Sequence, residues 1–156
     1  MLGCYKAVSG NDILSGLAVE RVIYVSTATQ TAPSLQSVAD IIGVSNRNNR
    51  RDEITGVLVI GDGVFLQVLE GARQDLVRAL DRIVADPRHK DLKTLDQSAI
   101  KQRAFAEWGM VGAPIKPKRQ IVMDELIAFA EADPDFVVDR IRTMLAEEQA
   151  LIMAPA

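Results

Sequence analysis

Two apolar runs, Ile54 to Ile60 and Val64 to Leu69, are separated only by Gly61-Asp62-Gly63, and this constrains the chain more than any other stretch. Glycines in so short a connection supply the dihedral angles a tight hairpin needs, so the two runs are expected to pair antiparallel. Side chains alternate across a strand, which puts Phe65, Gln67 and Leu69 on one face and Val64, Leu66 and Val68 on the other. Gln67 is the anomaly. A carboxamide in line with Phe and Leu loses its hydrogen bonds to water and needs replacements, either from a ligand or from the backbone of a neighbouring strand.

Around the hairpin the periodicity changes. Arg21 to Ser26 is mostly β-branched or aromatic and reads as a first strand with Tyr24 inside it. Ser34 caps a helix whose apolar positions Leu35, Val38, Ile41 and Ile42 recur at helical spacing, and its last turn presents Asn48 and Asn49. A second amphipathic helix from about Arg73 to Ala85 turns Leu76, Leu80, Ile83 and Val84 inward, with Arg78 and Arg82 one turn apart, and stops before Pro87. Leu92 to Ile100 is a further strand and Phe105 to Val111 a last one, carrying Trp108 and Met110 on a shared face. The order predicts an α+β fold: a ferredoxin-like β-α-β-β-α-β core with an additional strand, giving a mixed five-stranded sheet with two helices on one face.

Past Gly112 the composition shifts. Lys116-Pro117-Lys118-Arg119 reads as a solvated linker, followed by helices from Gln120 to Ala130 and after Asp133-Pro134, an N-cap followed by proline at the first helical position. The second of these presents Phe136, Val137, Ile141, Met144 and Leu145. Such a pair has an apolar face it cannot bury alone, so it covers the open side of the sheet or meets a second subunit. The expected division is an N-terminal extension, 1–18, a core domain, 19–112, and a linker with two C-terminal helices, 113–156.

With 156 residues the chain has room for one domain, and a formal charge of -3 argues against a general nucleic-acid or anionic-membrane binder. Cys4 is the only cysteine, so no internal disulfide forms, and no apolar run is long enough to span a bilayer. A cytoplasmic protein is expected. His89, the single histidine, follows Asp86-Pro87-Arg88 at a helix end, and one His with one distant Cys makes no metal site. No Ser, Cys or Thr has a credible paired base, and the glycines lack the spacing of a phosphate loop.

Tyr24, Asn48, Asn49 and Gln67 can each donate and accept hydrogen bonds without carrying charge, which suits a neutral polar ring with amide-like edges such as a flavin. Each also has an ordinary reading when taken alone. Tyr24 is a core aromatic, Asn48 and Asn49 are helix C-caps, and Arg82 is either a surface partner of Asp81 or Asp86 or a cation near a flavin carbonyl or phosphate.

Taken together the residues form a recognisable series. Tyr24-Val25-Ser26, Asn48-Asn49 ahead of Ile54-Thr55-Gly56, Phe65-Leu66-Gln67 with Leu69-Glu70-Gly71, Asp86-Pro87-Arg88-His89, and Arg103 with Phe105, Trp108 and Met110 run in order from about Val19 to Gly112. This series resembles the BLUF family of blue-light sensors using flavin, and specifically its short, single-domain type. The resemblance implies a non-covalent FAD, or FMN, between two helices, contacted by Ile41, Asn48, Asn49, Phe65, Gln67, Arg82 and His89, with Asn49 on the pyrimidine edge. It implies that Tyr24 donates an electron and a proton and that Gln67 relays the proton and reorients. Trp108 and Met110 carry the output, and the sequence leaves open which of them lies beside Gln67. A separate effector protein is the implied partner, with self-association into a homo-oligomer, and the implied role is signalling, not metabolic turnover. Cys4 lies outside the series and offers no thiol for adduct chemistry. Two rival readings share the residues: a small flavin-dependent oxidoreductase, for which no nicotinamide motif is found, and a ferredoxin-like ligand-binding or interaction domain without photochemistry.

Overall fold

The computed structural model describes residues 18–30, 34–61, 63–114 and 120–153. The expected extension up to residue 17, Asp62 of the hairpin turn and the Lys116 to Arg119 linker lie outside the described residues. The elements are β1 (Val19–Ala28), α1 (Leu35–Arg51), β2 (Thr55–Gly61), β3 (Val64–Ala72), α2 (Arg73–Val84), β4 (His89–Ile100), β5 (Val111–Pro114), α3 (Gln120–Ala130) and α4 (Pro134–Met153). The five strands form one sheet in the order β4-β1-β3-β2-β5, antiparallel throughout except where β2 meets β5. This is the mixed sheet expected from the β-α-β-β-α-β order.

Local chemistry sets the boundaries. Ser34 Oγ accepts the Ser37 N–H at 3.1 Å to start α1, and the Asp133 carboxylate accepts the Phe136 N–H at 3.0 Å with Pro134 as the first residue of α4. Gly63 turns the hairpin at φ 68, a conformation only glycine takes without cost. Gly56 is required for a different reason: a Cβ there would collide with the Val68 carbonyl across the β2–β3 pair.

The sheet separates two apolar cores. Under α1 and α2 lie Val22, Tyr24, Leu58, Phe65 and Leu69 against Leu76. On the opposite face Ile23, Val57, Leu66 and Val68 meet Met123, Leu126, Val137 and Ile141 of α3 and α4. The helical pair therefore covers the open sheet face. Arg21, only 5% exposed, reinforces this by reaching Asp96 on β4 at 3.4 Å and Asp135 in the first turn of α4 at 2.8 Å. Ile141 is fully buried in the core between the sheet and the helical pair. Ile141→Ala is accordingly expected to lower unfolding free energy by about 2–5 kcal/mol, read from a denaturant titration.

Five expectations need correction. The last strand does not begin at Phe105: residues 101–110 are irregular, and β5 starts only at Val111. The Trp108 N–H turns back to the Phe105 carbonyl at 3.1 Å, and Gly109 passes so close to α1 that a Cβ would sit 2.5 Å from Asn46 Oδ1. Trp108 and Met110 consequently share no face; Met110 joins the core under α1 and α2, whereas Trp108 packs on the other core with its ring centroid 6.3 Å from that of Phe105. On α2, Leu76, Leu80 and Ile83 face inward, but Val84 at the last position is 65% exposed. Phe136 is likewise exposed and leans on Phe129 of α3, ring centroids 4.9 Å apart. Finally, β4 extends back to His89, which opens a strand and does not close a helix. The polar residues His89, Lys90 and Asp91 hide this start, and β4 tolerates them because it is an edge strand.

Candidate functional site

The β1–β3 register places Tyr24 directly opposite Gln67 on the face beneath α1 and α2. The Tyr24 hydroxyl donates to Gln67 Oε1, and Gln67 Nε2 extends towards Met110 Sδ at 3.5 Å. All three side chains are buried. Gln67 thus finds its partners in two side chains, and of the two output candidates it is Met110 that lies beside it. Burial, reinforced by the negative charge of Asp86, pushes the Tyr24 phenol above its ordinary pKa, so it stays protonated and able to donate.

A narrow cleft of about 50 Å³ opens beside this pair and brings together Tyr24, Gln67, Ile41, Phe65 and His89. The His89 ring meets Phe65 edge-on, with centroids 6.4 Å apart. Ser26, Asp86 and Arg88 also line the cleft, although none stands out in the sequence as a ring contact. The signal for Ser26 was its position two residues after Tyr24, which puts both on one strand face. A second, larger hollow of about 360 Å³ shares Ile41, Phe65 and Arg88 with the first and continues past Thr29 and Ser37, giving an elongated ligand somewhere to run.

The walls also carry unfinished hydrogen bonding. Among the described residues, the buried side-chain atoms without a partner are Ser26 Oγ and His89 Nδ1, and both belong to this cleft. A buried polar group left unpaired costs about 1–3 kcal/mol, which a polar ring seated here would relieve. Uncharged donors and acceptors between the apolar walls of Ile41 and Phe65 fit a flavin.

Three expected ring contacts lie outside the cleft lining. Asn49, 5% exposed, donates its Nδ2 hydrogen to the Gly109 carbonyl at 2.8 Å. Asn48 is half-buried, and its backbone carbonyl accepts the Asp52 N–H at 3.1 Å. Arg82 Nη2 reaches Asp52 at 2.6 Å, so its partner is neither Asp81 nor Asp86. Hydrogen bonds from Arg51 and then from Arg82 hold the Asp52 carboxyl down at about 2. Asp86 is occupied by Arg88, whose Nε donates at 2.9 Å and holds that carboxyl below the usual range. The cation at the cleft is therefore Arg88.

No cluster of three metal-ligating side chains occurs among the described residues, and no helix there is long and apolar enough to cross a membrane.

Known proteins share the sequence pattern and the fold of this chain. Residues 19–111 match the family described as BLUF, sensors of blue-light using FAD. The photoactivated adenylate cyclase subunit beta of Euglena longa is 37% identical over 91 residues, 58% of this chain and 10% of that protein. The blue light- and temperature-regulated antirepressor BluF of Escherichia coli (strain K12) is 28% identical over 89 residues, 57% of this chain and 22% of that protein. The chain thus spans a small part of the length of these relatives. Among solved structures, BlrB, a BLUF protein in its dark state, superposes with a TM-score of 0.69 at 26% identity, covering 84% of this chain and 98% of that one. With the matched family spanning more than half its length, the chain belongs to the BLUF family of flavin-using blue-light sensors.

Proposed function

We propose that this chain is a blue-light switch that holds FAD, with FMN as the alternative, in the cleft beside Tyr24 and Gln67. The observation that carries the reading is the buried series Tyr24, Gln67, Met110 at the edge of a cleft whose walls hold two unpartnered polar atoms. In this reading residues 19–112 form the sensor, 1–18 an extension and 113–156 the linker and output helices.

When bound and excited by blue light, a flavin supplies a strong oxidant. Tyr24 is the donor in reach: its phenol gives up one electron and, through the Gln67 amide to which it is hydrogen bonded, its proton. Return of both restores the phenol and leaves Gln67 rotated or tautomerised. The amide then offers a different edge to the ring and to Met110. With the ring seated there, Ser26, His89 and Arg88 would orient it by hydrogen bonds and charge, Ile41 and Phe65 would exclude water, and Asn49, assisted by Asn48 and Arg82, would hold the pyrimidine edge in exchange for its Gly109 partner. The changed contact at Met110 passes into the segment leading to β5 and so to the helical pair. A separate effector protein reads that change, and the switch itself acts as a homo-oligomer.

The absorption spectrum of the purified protein in darkness, after blue light and during recovery tests the reading. A flavin band that moves red and returns without bleaching is expected. Protein that remains colourless after addition of FAD and FMN, or a bound flavin that only bleaches, overturns it.

A further inference from the structure

Glu70 takes no part in the photochemistry above, yet it is completely buried. It stands on β3 three residues beyond Gln67, so alternation turns its carboxylate to the opposite face of the sheet. There Oε1 accepts the Ala104 N–H at 2.8 Å, while Oε2 accepts the Phe105 N–H at 3.0 Å and the Thr55 hydroxyl at 3.2 Å. Arg103 closes the arrangement by donating to the Thr55 hydroxyl at 3.0 Å, the Glu70 carbonyl at 2.8 Å and the Glu53 carbonyl at 2.7 Å. These contacts seize the irregular segment at its start. Further along, the Gly56 N–H donates to the Trp108 carbonyl at 3.0 Å, just before Met110 meets Gln67.

A stretch without a strand ladder takes its course from the groups that satisfy its backbone. Of those groups the carboxylate is the strongest acceptor, because ionised partners make the shorter and tighter hydrogen bonds. The guanidinium of Arg103 goes to neutral oxygens and meets the carboxylate only through Thr55, so the hydroxyl bridges the two.

We propose that Glu70 is a positioning residue for the light switch: its carboxylate, linked through Thr55 to Arg103, fixes the segment from Arg103 to Met110 so that Met110, and not Trp108, abuts Gln67. The optical consequences rest on the photochemical reading above, whereas the anchoring rests on the geometry alone.

Glu70→Gln in the full chain tests the proposal. The amide has one acceptor oxygen where the carboxylate has two, and its N–H group faces a backbone N–H. The variant is expected to bind flavin and shift red, but to recover in darkness about five- to tenfold faster, because Gln67 reorients against a looser neighbour. Trp108 is the only tryptophan, so its emission reports the segment directly and is expected to move to longer wavelength. Thr55→Val removes the bridging hydroxyl and keeps the carboxylate; it is expected to move both readouts the same way by a smaller factor, and decides the matter if Glu70→Gln does not fold. Unchanged recovery together with unchanged Trp108 emission overturns the proposal. Emission is also read in flavin-free protein in darkness, so a wild type without a red shift counts against the photochemical reading while the emission still decides the anchor.

Discussion

Tyr24→Phe is expected to retain bound flavin and lose the red-shifted photoproduct completely. The ring keeps its place in the core beneath α1 and α2, so the cleft wall is unaltered. What disappears is the hydroxyl that donates to Gln67 Oε1, and with it the easily oxidised phenol and the proton that travels with the electron. The substitution leaves Gln67 Oε1 short of a partner, a cost of about 1–3 kcal/mol that a domain of this size can absorb. Difference spectra of wild type and variant at equal flavin occupancy measure the effect. A normal photocycle in the variant would remove Tyr24 from its role as donor.

Gln67→Ala is expected to give the same spectral outcome for a different reason. The phenol remains and can still be oxidised, but nothing next to it can turn over and hold a new hydrogen bond, so light produces no lasting red shift. Met110 loses its polar neighbour as well, which disconnects the output segment from the ring. Ultrafast spectroscopy separates the two variants: flavin quenching by tyrosine is expected to persist in Gln67→Ala and to vanish in Tyr24→Phe. A stable red shift in Gln67→Ala would contradict the amide switch.

Much of this structure is legible in the sequence because its determinants are local. The Gly61 to Gly63 turn, the Ser34 cap and the Asp133-Pro134 start each act within a few residues, and the strand and helix periods follow from single-residue geometry. The alternation in β3 was enough to isolate Gln67, and the register then set Tyr24 opposite it. Residues 105–110 read as strand in the sequence but are irregular, because the course of this segment is decided from outside, by the carboxylate of Glu70, the N–H of Gly56 and the amide of Asn49. The same applies to Arg82: Asp81 and Asp86 are nearby in sequence, but the end of α1 brings Asp52 to it from thirty positions away. Ser26 and Arg88 belong to the recognisable series but carry no sign of a lining role, because serine and arginine at such places are usually solvated and only the enclosing cleft brings them to the site. β4 is legible from Leu92 onward, and only its first residues, the polar His89, Lys90 and Asp91, read as the end of a helix when they open an edge strand.

The sheet is one residue thick, and β1 serves as the wall of two rooms. Tyr24 and Ser26 look into the cleft while Ile23 and Val25, their immediate neighbours, lie against the core capped by α3 and α4. Neighbouring letters of the same short word therefore answer to different surroundings: substitutions at Ile23 and Val25 bear first on the seat of the outer helices, and those at Tyr24 and Ser26 bear first on the cleft. Under the proposed function, the seat of the outer helices and the lining of the pigment site are thus open to separate substitution along a single strand.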